Sequence, residues 1–251
     1  MHTAANRIAC GSFIPIRTVI PGRQKVSRMA ACDRATCPVD ASTVGSLRGV
    51  NDWSIVFEVL TETKGENMFD LEQFIDDCKR AVLCADSREE VQAWVQQSVS
   101  VPLGVLKALG EPKQAGVQRL YVADDLTILN VLWGPHMMLM PHNHEMWAVI
   151  GVYTGREDNI FWRRLPEENR GKLKAAGARS LAATDVEALG RDAIHSVTNP
   201  LSRITGGLHV YGGSFFQTPR SEWDPELLLE STFDVEKNLR LFEESNRGLQ
   251  K

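Results

Sequence analysis

Cysteine is scarce in this 251-residue chain, and the five it has (Cys10, Cys32, Cys37, Cys78 and Cys84) form no pattern. Their odd number and irregular spacing suit no disulfide framework in a chain this long, which points to a reducing compartment. The Cys32 to Cys37 interval is wider than a zinc knuckle and lacks a second pair. No Gly-x-Ser-x-Gly elbow occurs and no cysteine falls in the strand-rich block, which argues against the common nucleophilic hydrolases. Runs of about 18 or more uncharged apolar residues are missing, so no membrane-spanning helix is expected. The net charge is −4 and no dense Lys/Arg stripe exists, which argues against a nucleic-acid partner, because tracking phosphates needs clustered positive charge. Acidic residues are missing from residues 1–32, which carry Arg7, Arg17, Arg23, Lys25 and Arg28. That composition overlaps with organellar transit peptides, and equally with a flexible leader or a start at Met29. Residues 1–50 are therefore set apart as a leader segment, and the remainder is expected in the cytoplasm.

What is present is a soluble globular composition, 43% hydrophobic and 24% charged. One domain over 51–251 is expected, because barrels and sandwiches reach this length undivided. The folded part is expected to begin near Trp53. From Asn67 to about Leu109 the apolar residues Phe69, Leu71, Phe74, Ile75, Cys78 and Val82 recur at helical spacing, and Ser87 with Glu90 has the form of a capping box. Strand character follows: 119–122, 126–133, 137–144, 148–153 and 159–164 are short apolar, β-branched or aromatic runs divided by Asp124-Asp125, Gly134-Pro135 and Gly155. Pro166 to Ala176 reads as a polar connector, 194–197 and 208–211 as further strands, and Pro225 to Leu249 as an amphipathic helix. A helical cover (67–110), a barrel (about 118–223) and a C-terminal helix (225–249) make a mainly β fold, not an alternating βαβ array.

Histidine is rare, with six in the chain, yet His136, His142, His144, His195 and His209 all lie in the strand-rich half. In Pro141-His-Asn-His144 two imidazoles sit at i and i+2, which places both on one face of a strand. If that face is a barrel interior, a metal ion satisfies several buried ring nitrogens at once, whereas a pair of hydrogen-bonded core histidines is the plainer alternative. His195 follows some fifty residues later in Gly190-Arg-Asp-Ala-Ile-His195-Ser-Val-Thr-Asn199, where Asn199 is expected to fix His195 or close its turn. His136 lies roughly 20 Å along an extended strand from His142, too far to be a ligand. Met138 and Met140 share nominal parity with His142, as pocket lining or as core filling. Arg156, Arg163, Arg164 and Arg203 are the arginines considered for an anionic substrate, against a plain reading as solvated surface.

His-x-His, followed by a histidine and, four residues on, an asparagine, resembles the two motifs of the cupin superfamily, over about Leu120 to Trp223. That resemblance implies a double-stranded β-helix barrel. The carboxylate usual in the first cupin motif is replaced by the stretch Met146 to Val149, and Glu145 points to the opposite face. In this the chain resembles the cysteine-dioxygenase-type thiol dioxygenases, in which three histidines bind Fe(II) without a carboxylate. Leu129-Asn-Val-Leu-Trp-Gly134, Gly155 and Gly207-Leu-His-Val-Tyr-Gly212 resemble family segments in the same order. The likeness implies His142, His144 and His195 as metal ligands for Fe(II), His209 and Tyr211 as catalytic residues, and a small thiol and O2 as substrates, oxidised to a sulfinic acid. Three positions depart from the family: Gly207 stands where a serine is common, Ala148 where some members have a crosslinked cysteine, and 122–125 lack the arginine that grips a substrate carboxylate. Other readings of the same scaffold are a cupin isomerase, decarboxylase or C–C-cleaving dioxygenase using another metal, and a non-catalytic metal-binding barrel.

Overall fold

The computed structural model describes residues 69–166 and 172–249. The leader, Met29, the Cys32–Cys37 pair and the expected start near Trp53 lie outside the described residues. Three helices come first: α1 (Leu71–Ala81), α2 (Ser87–Val99) and α3 (Pro102–Leu109). Asp70 caps α1 by accepting from the Gln73 amide at 2.9 Å. The capping box expected at Ser87 does not form, because the helix begins one residue earlier than that motif requires. Asp86 holds the N-cap position and Ser87 is already helical.

Eleven strands follow: β1 (Gly116–Val122), β2 (Thr127–Trp133), β3 (Met138–Asn143), β4 (Ala148–Thr154), β5 (Arg156–Arg164), β6 (Leu173–Ala182), β7 (Val186–Leu189), β8 (Ile194–Thr198), β9 (Thr205–Tyr211), β10 (Ser221–Trp223) and β11 (Glu230–Thr232), before a last helix, α4 (Val235–Leu249). They form two antiparallel sheets, ordered β1-β2-β9-β4-β7 and β11-β10-β3-β8-β5-β6. From β2 to β5 the chain alternates between sheets at each turn, and β6 to β9 return beside them, which is the double-stranded β-helix, or jelly roll.

Sequence pattern and burial agree once the helices are placed. Strands β2 and β9 are buried at every position, which accounts for their unbroken apolar runs. One face, with Ile128, Leu208 and Val210, packs in the same cluster as Val91, Val95 and Val99 of α2. The other face, with Leu129, Val131 and Tyr211, lines the barrel interior with Phe242 of α4. Helix α2 comes close enough to β4 that a Cβ at Gly151 would collide with Val95, so glycine is required there.

The connector expected over Pro166 to Ala176 ends earlier, since β6 begins at Leu173, and β6 and β7 carry little strand signal. Strand β6 is an exposed edge rich in alanine, recognisable only by its pairing with β5. At the C-terminal end, the expected helix over 225–249 starts only at Val235. Glu230 to Thr232 pair with β10, and Phe233 precedes the helix and faces His142, with ring centroids 5.7 Å apart. No helix among the described residues is long and apolar enough to cross a membrane.

Candidate metal centre

His142 lies near the end of β3, directly opposite His195 on β8. His144 follows one residue past the strand, and all three side chains are buried. Their ring nitrogens converge. His144 Nε2 is 3.2 Å from His142 Nε2 and 3.2 Å from His195 Nε2. The three rings offer ligand atoms all within 4.8 Å of one another, the only such group of three found among the described residues.

The tautomers follow from the outer nitrogens. His142 Nδ1 is 2.9 Å from the Met140 carbonyl oxygen, and His195 Nδ1 is 2.7 Å from Asn159 Oδ1. Both partners accept, so each Nδ1 carries the proton and each Nε2 turns a lone pair inward. Burial holds the rings neutral: it pulls His142 down to about 4, with the Arg220 charge adding to the effect. His144 and His195 are pushed well below the usual histidine range by burial and by neighbouring rings. Facing lone pairs repel unless a cation lies between them. Two nitrogens bound to one ion at about 2.1 Å stand roughly 3.0–3.4 Å apart, so the spacing fits a shared divalent metal. No carboxylate belongs to the group. Glu222, opposite His142 on β10, is taken by Lys237 Nζ and Asn238 Nδ2, each at 2.7 Å.

His209 and Tyr211 lie on the interior face of β9, with His209 Nδ1 3.3 Å from the Tyr211 hydroxyl and the tyrosine ring edge-on to His144, centroids 5.0 Å apart. Burial raises the Tyr211 phenol above its ordinary range, so its proton is retained at neutral pH. Ala148 is the residue paired directly with Tyr211 on β4, so no thiol stands beside the phenol there.

Three residues of the centre were not read from the sequence. Arg220, at the start of the β10 segment, is 7% exposed and lines the cavity with the histidines. Its guanidinium lies over the rings of Phe215 and Phe233, 4.1 and 4.2 Å from their centroids. It donates to the Phe215 carbonyl, while its buried Nε has no hydrogen-bond partner. Burial lowers it to about 10. Glu157 and Asn159 of β5 are buried behind the histidines. In Arg156-Glu-Asp-Asn159 every residue is polar, so hydrophobic alternation gives no sign that the second and fourth turn inward.

Other expectations are redistributed. Asn199 does not hold His195; it donates to the carbonyls of Trp133, Gly134 and Arg203 and closes the turn. Met138 is 59% exposed, and Leu139 lines the cavity instead. A register shift between Leu139 and His142 inserts one residue and reverses the nominal parity. Arg156 pairs with Asp158 and Arg164 with Glu230, while Arg163 and Arg203 do not line the cavity. His136 stands outside the cluster.

The cavity is small, about 70 Å³, and its walls are mainly aliphatic and aromatic, with Arg220 the cation among them. No family model matches the chain. Among solved structures it is similar to an RmlC-like cupin family protein with a double-stranded β-helix fold from Methanocaldococcus jannaschii, at 9% identity over 43% of this chain and 88% of that one (TM-score 0.35). It is similar to a cupin superfamily protein from Desulfitobacterium hafniense, at 14% identity over 42% and 85% (TM-score 0.33). A variant of oxalate decarboxylase from Bacillus subtilis matches at 14% identity over 41% and 27% (TM-score 0.31). Likenesses of this size assign neither a reaction nor a substrate. The fold rests on the strand order itself: a double-stranded β-helix.

Proposed function

We propose that this protein is a metal-dependent cupin enzyme, a non-haem Fe(II) dioxygenase that oxidises a small thiol to a sulfinic acid with O2. The observation that carries the reading is the donor set: three neutral imidazoles converge with no carboxylate among them. Such a set leaves the charge of a divalent ion uncompensated and favours an anionic ligand, and a thiolate answers that demand. Bound there, ferrous iron supplies the redox chemistry by which both atoms of O2 pass to sulfur. The chain's own residues do the rest. Apolar walls exclude water, and Tyr211, hydrogen-bonded to His209, holds a proton next to the reacting centre; groups in that role contribute about 10²–10⁴-fold.

The buried Arg220 guanidinium, with no acidic partner among the described ion pairs and an unpartnered Nε, supports a substrate that brings its own acid group. The sequence offered no arginine at 122–125, and Arg220 would serve from the opposite sheet. Hydrogen bonds to charged groups contribute about 1.5–3 kcal/mol. Arg220→Met is therefore expected to raise KM for a mercapto-acid by roughly 10–100-fold and to leave KM for cysteamine nearly unchanged. Equal effects on both thiols would remove Arg220 from substrate recognition.

The test of the reaction is oxygen uptake by the Fe(II)-reconstituted protein with cysteine, cysteamine and 3-mercaptopropionate, with His142→Ala as blank. Thiol-dependent uptake with sulfinate as product is the expected result. Iron retention without uptake above the blank for any thiol would end the thiol reading and leave the other metal-dependent cupin chemistries.

A further inference from the structure

Behind the histidines lies a buried carboxylate that touches neither the proposed metal position nor the cavity. Glu157 is 0% exposed. Its Oε2 accepts from Trp133 Nε1 at 2.7 Å and faces His209 Nε2 at 3.4 Å, and its Oε1 accepts from Asn159 Nδ2 at 3.0 Å. Burial alone would raise this acid, but the bonds from His209, Asn159 and Trp133 outweigh burial and hold it below its usual value. A buried anion with three donors aimed at it is satisfied; the same anion removed would leave those donors orphaned.

The direction of those bonds dictates two things elsewhere. An ionised carboxylate only accepts, so Asn159 must turn its amide nitrogen toward Glu157 and its oxygen toward His195. That oxygen takes the proton of His195 Nδ1 and leaves the Nε2 lone pair aimed at the other two histidines. On the second branch, His209 Nε2 is buried without a hydrogen-bond partner, and the same carboxylate faces it at 3.4 Å. Facing an anion, it carries a proton, and in the neutral ring that leaves Nδ1 to accept from the Tyr211 hydroxyl at 3.3 Å. One charge thus sets the polarity of both the metal ligand and the phenol. The stacked Trp133 and Phe242 rings, 5.4 Å apart, close this network from the C-terminal helix.

We infer that Glu157 is the positioning residue of the centre, fixing His209 as the Nε2–H tautomer through Oε2 and orienting His195 through Asn159. The inference rests on the metal-centre reading and not on the identity of the thiol. The test uses the full chain loaded with zinc, without substrate, and reads the tautomer of His209 from its ring ¹⁵N shifts and couplings. The wild-type protein is expected to show the proton on Nε2. Glu157→Gln, whose amide also donates, is expected to lose that single tautomer and to bind zinc roughly 10–100-fold more weakly, the usual effect of removing an outer-shell partner. Glu157→Asp is expected to retain the tautomer. A proton on Nδ1 of wild-type His209, or a Gln variant unchanged in both tautomer and zinc affinity, would overturn the inference. The wild-type spectrum decides the matter by itself if the variants do not fold. Failure to oxidise thiols would not alter either readout.

Discussion

His144→Ala is expected to abolish the rise in melting temperature that Fe(II) or Zn(II) gives the wild-type protein, while leaving the melting temperature of the apoprotein unchanged or slightly higher. His144 is the hub of the cluster, with its Nε2 3.2 Å from each of the other two. Two imidazoles cannot hold a divalent ion against water as three do. Loss of an outer-shell partner already costs about 10–100-fold in affinity, and loss of a ligand costs more. At free metal near 1,000 times Kd, binding stabilises a native protein by about 4 kcal/mol, and that increment is what the variant forfeits. The apoprotein behaves differently because His144 Nδ1 is buried without a hydrogen-bond partner. Removing an orphaned polar group relieves about 1–3 kcal/mol and offsets the packing lost with the ring. Calorimetry with and without metal, together with metal content after gel filtration, checks both halves. A variant that still melts higher with metal would show that the ion binds elsewhere.

The centre and its scaffold were legible in the sequence to different depths. His-x-His on a strand needs only the two-residue period, and the meander around it needs only short β-branched runs. Contacts made by register were not legible. The extra residue in β3 between Leu139 and His142 exchanges the faces of Met138 and Leu139, and no composition signals a bulge. Strand β6 pairs along its whole length with β5 while exposing most of its side chains, so it lacks the apolar alternation that marks a strand. Arg220 and Glu157 are hidden for the same reason in opposite forms. Each is a charged residue inside a polar stretch, and burial of a charge becomes visible only when its neighbours in space are known. The sequence offers Asn199 two alternative roles, fixing His195 or closing its turn. The structure assigns it the turn and gives the hold on His195 to Asn159, on a strand adjacent in space.

Acid should unfold the apoprotein well above the pH at which carboxylates protonate, and bound metal should delay it. Burial pulls His142 down to about 4 in the folded chain, against about 6.5 when unfolded, and His144 and His195 are likewise lowered well below the usual histidine range. Between those values the unfolded chain binds protons that the folded chain refuses, so stability falls as the pH falls through this window. His142 alone removes roughly 3 kcal/mol by pH 4, and His144 and His195, lowered by burial and by the neighbouring rings, add to the loss in the same direction. Glu157 acts in the same direction, since its depressed folded value means stability is lost as it protonates. Against a total stability of about 5–15 kcal/mol, a loss of this kind erodes the apoprotein as the pH falls below the ordinary histidine range. A bound ion occupies the same lone pairs, so it must leave before the histidines can charge. Urea titrations from pH 7 to 4 should therefore show steep loss in the apoprotein and a flat profile in the zinc-loaded protein until the metal is released. Replacing His195 by glutamine, which keeps a donor for Asn159 but does not titrate, should lower the apoprotein slope by about one proton. A slope unchanged in that variant would mean that groups outside the cluster govern acid unfolding, and would remove the strained convergence of neutral imidazoles as its cause.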